Sequence, residues 1–173
     1  MPIKKFRFVS PLVALAAIVT MPALAQTDVK ATVLKHLKTS RDFTLKVADQ
    51  MPADSYNFKL TPPQMSFAEQ MAHLAGSLTV FVSPFSGQQP SPAKPASMSK
   101  KDIIAFVTKS YDDAIAQVSK LTPEQISKTY KSEEGTLTGL ENLMAMLDHC
   151  THHRASAEMY LRAKGITPTE YQF

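Results

Sequence analysis

The sequence lacks several features that would identify its structural or functional class at once. It contains one cysteine, Cys150, so no disulfide can form within the chain and its stability must come from packing. Its N-terminal apolar run, Pro11 to Thr20, is too short for a transmembrane helix, which needs about 20 residues. No basic stripe interleaved with aromatic residues is present, which argues against a nucleic-acid-binding protein.

The N-terminal segment has the pattern of a cleavable signal peptide. A positively charged start, Lys4 to Arg7, precedes the short apolar run, and Ala23-Leu24-Ala25 supplies the small residues that signal peptidase recognises. We therefore predict a signal peptide over residues 1–25 and one domain over 26–173, exported to the periplasm or secreted. Losing three basic residues and no acidic ones lowers the net charge from +4 to +1, which further weakens the case for nucleic acid.

Apolar residues recur with the helical period in four segments, and strand signals are weak, which predicts an all-α fold. Four amphipathic helices of this length are typical of a four-helix bundle, whose metal sites are built from side chains on facing helices. The predicted helices are Asp28 to Gln50, Ser66 to Val82, Ser99 to Val118 and Thr138 to Lys164. Residues 83–97 and 131–135 are predicted to be connectors.

Several helix ends carry recognisable capping residues. Ser66 with Glu69 three positions later is a capping box. Ser99 can cap the third helix. Thr122-Pro123 predicts a short helical turn, and Gly165 a left-handed C-cap.

Three histidines have the spacing of a metal site. His149 and His153 lie one turn apart, so their Cβ atoms are about 6 Å apart on one helix face and can hold one divalent ion at about 2.1 Å each. A third imidazole from a neighbouring helix, that of His73, would leave room for water or substrate. Spacing alone leaves a second interpretation open, in which the histidines bind no metal, since such pairs also occur by chance on partly exposed helices. His36 and His152 are interpreted as solvated or locally bonded.

Other residues that can carry chemistry each have a structural alternative. Glu69 can reach the pocket beside His73 or simply complete the capping box. Tyr160 can bind a ligand or fill the core, and Arg154 can bind an anionic substrate or form a surface salt bridge. Cys150 is interpreted as a small buried residue rather than a nucleophile.

Two segments resemble the DinB family. One runs from Tyr56 to Ala75 and contains the serine-capped helix with His73-Leu74; the other begins with His149 to Arg154 and continues through Tyr160-Leu161-Arg162 to Gly165 and Pro168. The resemblance implies a four-helix bundle that holds a divalent metal, usually zinc or nickel, with His73, His149 and His153 as ligands. It also implies a metal-dependent hydrolase or thiol S-transferase-like enzyme acting on a small molecule, and a possible homodimer.

The sequence departs from the common pattern of that family. Ala155-Ser156 stands where many relatives have Gly-Gln, and there is no tryptophan. The alternative function is therefore a non-catalytic metal- or ligand-binding helical bundle in an envelope stress response. A structural helical dimer whose histidines bind no metal is the third interpretation.

Overall fold

The computed structural model describes residues 23–87, 98–132 and 135–172, without the side chains of residues 23–28 and Ser132. The predicted signal peptide falls almost wholly outside these residues and stays a prediction. None of the helices in the described residues combines the length and the hydrophobicity of a transmembrane segment. The helices and strands are α1 Ala23–Gln50, α2 Phe67–Ser86, α3 Lys100–Ser119, α4 Pro123–Ser127, β1 Thr129–Ser132, β2 Gly135–Thr138 and α5 Gly139–Ala163.

The four long helices form the bundle that the periodicity predicts. Both α1 and α2 pack against α3 and α5, so α1 lies diagonally across from α2, and α3 across from α5. Their apolar faces meet in one core that includes Leu37, Leu74 and Leu143, each 0% exposed. Consequently α5 has one side against α2 and another against α1.

The capping residues fix where the helices begin. At the start of α2 the backbone N–H of Glu69 donates to Ser66 Oγ at 3.2 Å, and the Ser66 N–H donates to the Glu69 carboxylate at 2.6 Å. Ser99 and Asp102 form the same reciprocal pair before α3. These bonds satisfy N–H groups that have no partner inside the helix. The predicted starts of α2 and α3 are therefore confirmed to within a residue.

The C-terminal end of α5 is a Schellman motif. Gly165 has φ +74°, its N–H donates to the Arg162 carbonyl at 3.0 Å, and the Ile166 N–H donates to the Leu161 carbonyl at 2.9 Å. Glycine adopts this left-handed conformation without the strain that a Cβ atom imposes.

Helix α2 continues past its predicted end at Val82 to Ser86 and includes Pro84. Proline lacks the N–H that would bond to the carbonyl four residues earlier. The hydroxyl of Ser83 donates to that carbonyl, on Val80, at 2.7 Å instead. This hydrogen bond satisfies the Val80 carbonyl, so the helix continues through Pro84 to Ser86. Gly87, which has φ +69°, is its C-cap.

The prediction of a plain connector over 131–135 was wrong, because β1 and β2 form an antiparallel hairpin. Gly139 follows directly and begins α5 against α4. A Cβ atom at this position would lie 2.4 Å from the Gln125 carbonyl oxygen and 2.9 Å from backbone atoms of Ile126. Only glycine lets the two helices approach this closely, and the contact fixes where α5 enters the bundle.

Candidate metal centre

The structure brings His73 of α2 together with His149 and His153 of α5. Each offers a ring nitrogen, and these three atoms lie within 4.8 Å of one another. The ring of His153 is centred 4.5 Å from each of the other two rings, and the His73 and His149 rings are 5.1 Å apart. The packing of α2 on α5 therefore gathers the three imidazoles that the sequence singled out.

Exposure rises across the cluster from His153 to His73. His153 is 8% exposed, His149 is half-buried, and His73 is exposed. The cluster is therefore anchored inside the bundle and open to solvent at the His73 side.

Gln70 orients the most buried ring. Its Oε1 atom lies 2.6 Å from His153 Nδ1. An amide oxygen only accepts hydrogen bonds, so Nδ1 is the protonated nitrogen and Nε2 keeps its lone pair. Burial, reinforced by the charges of the neighbouring imidazoles, lowers the pKa of His153 to about 4. At neutral pH this side chain is therefore an uncharged imidazole with a lone pair on Nε2, as a metal ligand requires.

The donor set fits a divalent transition metal. Ligand bonds of ~2.1 Å in tetrahedral geometry separate the ligand nitrogens by roughly 3.4 Å, which modest side-chain rotations can reach from the observed spacing. Imidazole suits zinc, nickel and copper better than magnesium or calcium, which prefer oxygen ligands. Three protein ligands also leave one coordination position open, which is the pattern of catalytic rather than structural zinc sites.

A groove of about 540 Å³ adjoins His149. Phe81 stands at its wall with its ring edge-on to that of His149 at 5.5 Å, and Leu137 of the hairpin adds a second apolar residue. Asp148 and His152 supply polar groups along the same wall. The groove therefore offers a small molecule both apolar and polar contacts beside the imidazole cluster.

Three other residues considered in the sequence have structural roles. The Glu69 carboxylate completes the capping box and pairs with Lys59 at 3.4 Å. The Tyr160 hydroxyl donates to the Met65 carbonyl, and its ring is buried in the core. Cys150 is fully buried, and burial raises the pKa of its thiol to about 11, which agrees with the interpretation as an inert core residue.

The structure excludes one of the two interpretations of Arg154, the surface salt bridge. It is 5% exposed, and its Nη1 donates to Ser40 of α1 at 2.9 Å. Arg154 follows His153 directly, but it contacts α1, whereas His153 contacts Gln70 of α2.

The role of Gln70 was not predicted from the sequence. The available signal was its spacing, because a residue three positions before His73 shares a helix face with it. That spacing did not show which histidine Gln70 would contact, since the partner lies on α5.

Comparisons with known proteins agree with this architecture. A model of the DinB family matches residues 22–173. The "Uncharacterized protein YjoA" of Bacillus subtilis (strain 168) is 23% identical over 139 residues, which cover 78% of this chain and 90% of that protein. The crystal structure of this DinB-like protein superposes with a TM-score of 0.66, over 82% of this chain and 96% of its own.

A second crystal structure, of a DinB-like protein from Bacillus cereus ATCC 10987, superposes with a TM-score of 0.73 at 17% identity. The superposition covers 82% of this chain and 97% of the Bacillus cereus protein. The family match extends over both segments that carry the sequence resemblance and over all of the described helices. The chain belongs to the DinB family.

Proposed function

We propose that His73, His149 and His153 bind one divalent metal ion, zinc or nickel, and that this centre catalyses a reaction on a small molecule. The supporting observation is the convergence of three imidazole nitrogens within 4.8 Å, with His153 held by Gln70 as a neutral ligand. The reaction class is that of a metal-dependent hydrolase or a thiol S-transferase.

A bound ion would act as a Lewis acid and lower the pKa of a coordinated water or thiol towards 7. The surrounding residues can supply the rest of the chemistry. The groove holds the substrate against Phe81 and Leu137. His152, whose ring is centred 4.9 Å from that of His153, or the carboxylate of Asp148 can accept a proton from the nucleophile.

A second candidate function is a non-catalytic metal- or ligand-binding bundle. Glu69 and Tyr160 are both occupied by backbone partners, so neither is available to assist a reaction at the cluster. In this alternative the groove serves only for binding, and His152 and Asp148 have no catalytic role.

We also propose that the protein is exported, with cleavage after Ala25, on the basis of its N-terminal sequence pattern. N-terminal sequencing of protein from the cell envelope or the medium should then start at Gln26. Recovery only from the cytoplasm with Met1 intact would contradict export.

Elemental analysis of purified protein tests the metal site. One ion per chain is expected, and His73→Ala should lose it. His152→Ala is the matched control, because it removes a neighbouring imidazole that is outside the cluster. A wild-type protein that takes up no zinc or nickel, or a His73→Ala variant that keeps a full complement, would refute the proposal.

An activity screen distinguishes the two functions. Metal-loaded protein is incubated with small esters, amides and thiol adducts, and the metal-free protein is the blank. Turnover that requires the metal and falls in His152→Ala or Asp148→Asn supports the enzyme. Tight metal binding with no turnover of these substrates supports the binding protein.

A further inference from the structure

A second cavity, of about 260 Å³, lies between α1, α5 and the C-terminal residues. It shares no lining residue with the groove beside His149. The arrangement of the bundle explains the separation, because α5 faces α2 with its two histidines and faces α1 with Thr151 and Arg154. The proposed metal centre therefore gives this cavity no role.

Arg154 is a buried charged residue in the wall of this cavity. Its guanidinium donates to Ser40 Oγ at 2.9 Å and to Thr151 Oγ1 at 3.4 Å, and it lies over the Phe43 ring at 4.6 Å. These partners are neutral, and a guanidinium has five N–H donors. These contacts hold the side chain in place, but none of them is made with a carboxylate.

No carboxylate oxygen in the described parts of the chain lies within 4.0 Å of this guanidinium. Glu158, one turn further along α5, feels the charge only at longer range: Arg154 lowers the pKa of this carboxyl, although burial raises it by more. A buried charge is unfavourable without a partner of opposite sign. A side chain that is 5% exposed and borders a cavity is thus suited to bind an anion there.

The remaining wall limits the kind of anion. Thr39, Ser40 and Thr151 contribute hydroxyls and His36 contributes an imidazole, whereas Val33, Met144 and Leu147 contribute apolar surface. At about 30 Å³ for each water-sized group, the cavity holds roughly eight non-hydrogen atoms. Arg154 is the one guanidinium or ammonium group among the described residues that line the cavity. A single permanent charge beside apolar surface favours a monoanion with a short hydrocarbon tail over a compact dianion such as phosphate.

We propose that this cavity binds a small aliphatic monocarboxylate, whose two oxygens pair with the guanidinium fork of Arg154. The fork geometry matches a carboxylate and allows two parallel hydrogen bonds. The hydrocarbon tail lies against Val33 and Leu147. This site is independent of the metal centre and of the reaction proposed for it.

Titration with butyrate, followed by ¹H–¹⁵N NMR, tests the proposal. It is carried out on the wild type and on His73→Ala, so that binding of carboxylate to a metal does not contribute. Saturable shifts centred on residues 32–40 and 147–154 are expected in both proteins. Butyramide, the neutral analogue, should bind at least tenfold more weakly, and phosphate should not compete.

Variants identify the binding group. Arg154→Gln should abolish saturation, and Arg162→Gln, which removes an exposed arginine from the same helix, should not. Thr39→Phe fills the cavity and leaves Arg154 in place, so it keeps the test valid if Arg154→Gln does not fold. Equal binding of butyramide, preference for phosphate, shifts that never saturate, or unchanged binding in Thr39→Phe would overturn the proposal.

Discussion

A single hydrogen bond decides how the most buried histidine can act. Gln70 accepts from His153 Nδ1, which leaves Nε2 as the ligand atom, and burial keeps the ring neutral. The three histidines were recognisable in the sequence as candidate ligands, because His149 and His153 lie one turn apart and the family motif includes His73. The sequence did not predict the role of Gln70, since that contact depends on how α2 and α5 are rotated against each other.

We expect Gln70→Ala to weaken metal binding by about 10- to 100-fold, because partners that orient a ligating histidine typically contribute that much. Competition with a chromophoric chelator measures the affinity. Gln64→Ala, at an exposed position before α2, is the control and should bind like the wild type. An affinity within twofold of the wild type in Gln70→Ala would show that His153 needs no such orientation.

Cys150 should be inert in the folded protein. With a pKa of about 11, only about one thiol in a thousand is ionised at pH 8, and the side chain is fully buried. Mass spectrometry after iodoacetamide treatment at pH 8 should find unmodified native protein and complete modification in 6 M guanidinium chloride. Stoichiometric modification of the native protein within minutes would contradict this burial.

At the scale of the elements, local chemistry predicted where helices begin but not every end. Ser66 and Ser99 were readable because a capping box involves neighbours three residues apart. The extension of α2 through Pro84 was not, since it depends on the Ser83 hydroxyl bonding to the Val80 carbonyl. The hairpin was missed because its four-residue strands lack an alternating apolar pattern.

The contact between α4 and α5 gives a prediction about glycine. Gly139→Ala should reduce the free energy of unfolding by about 1–3 kcal/mol, because the added Cβ overlaps backbone atoms that cannot move independently. Gly76→Ala is the matched control: it lies inside α2 with nothing within 4 Å of the new atom, so it should stabilise by roughly 0.5–1 kcal/mol. Urea unfolding measures both, and equal effects would refute the close approach.

In the whole molecule, the arrangement of the four helices, more than their number, determines which residues of α5 are buried. Helical periodicity and the family motif predicted the four-helix bundle, and the structure confirms it. Neither indicated that α5 would lie between α1 and α2, which covers both of its sides. That position explains why Arg154 is buried although its sequence context allowed a surface salt bridge.

Metal removal should lower the stability of the whole fold. An ion bound only by the folded state at 100 times its Kd adds about 2.7 kcal/mol, which corresponds to several degrees in Tm for a domain of this size. Differential scanning calorimetry with and without a chelator measures the shift, and His73→Ala should be insensitive to the chelator. Identical curves for the wild type in both conditions would mean that no ion contributes.

X-ray absorption at the metal edge of zinc- or nickel-loaded protein identifies the atoms that coordinate the ion. We expect three imidazole nitrogens at about 2.0–2.1 Å from the ion, and one fewer in His73→Ala. A shell of oxygen ligands without imidazole scattering, or a spectrum unchanged in His73→Ala, would show that the ion binds elsewhere.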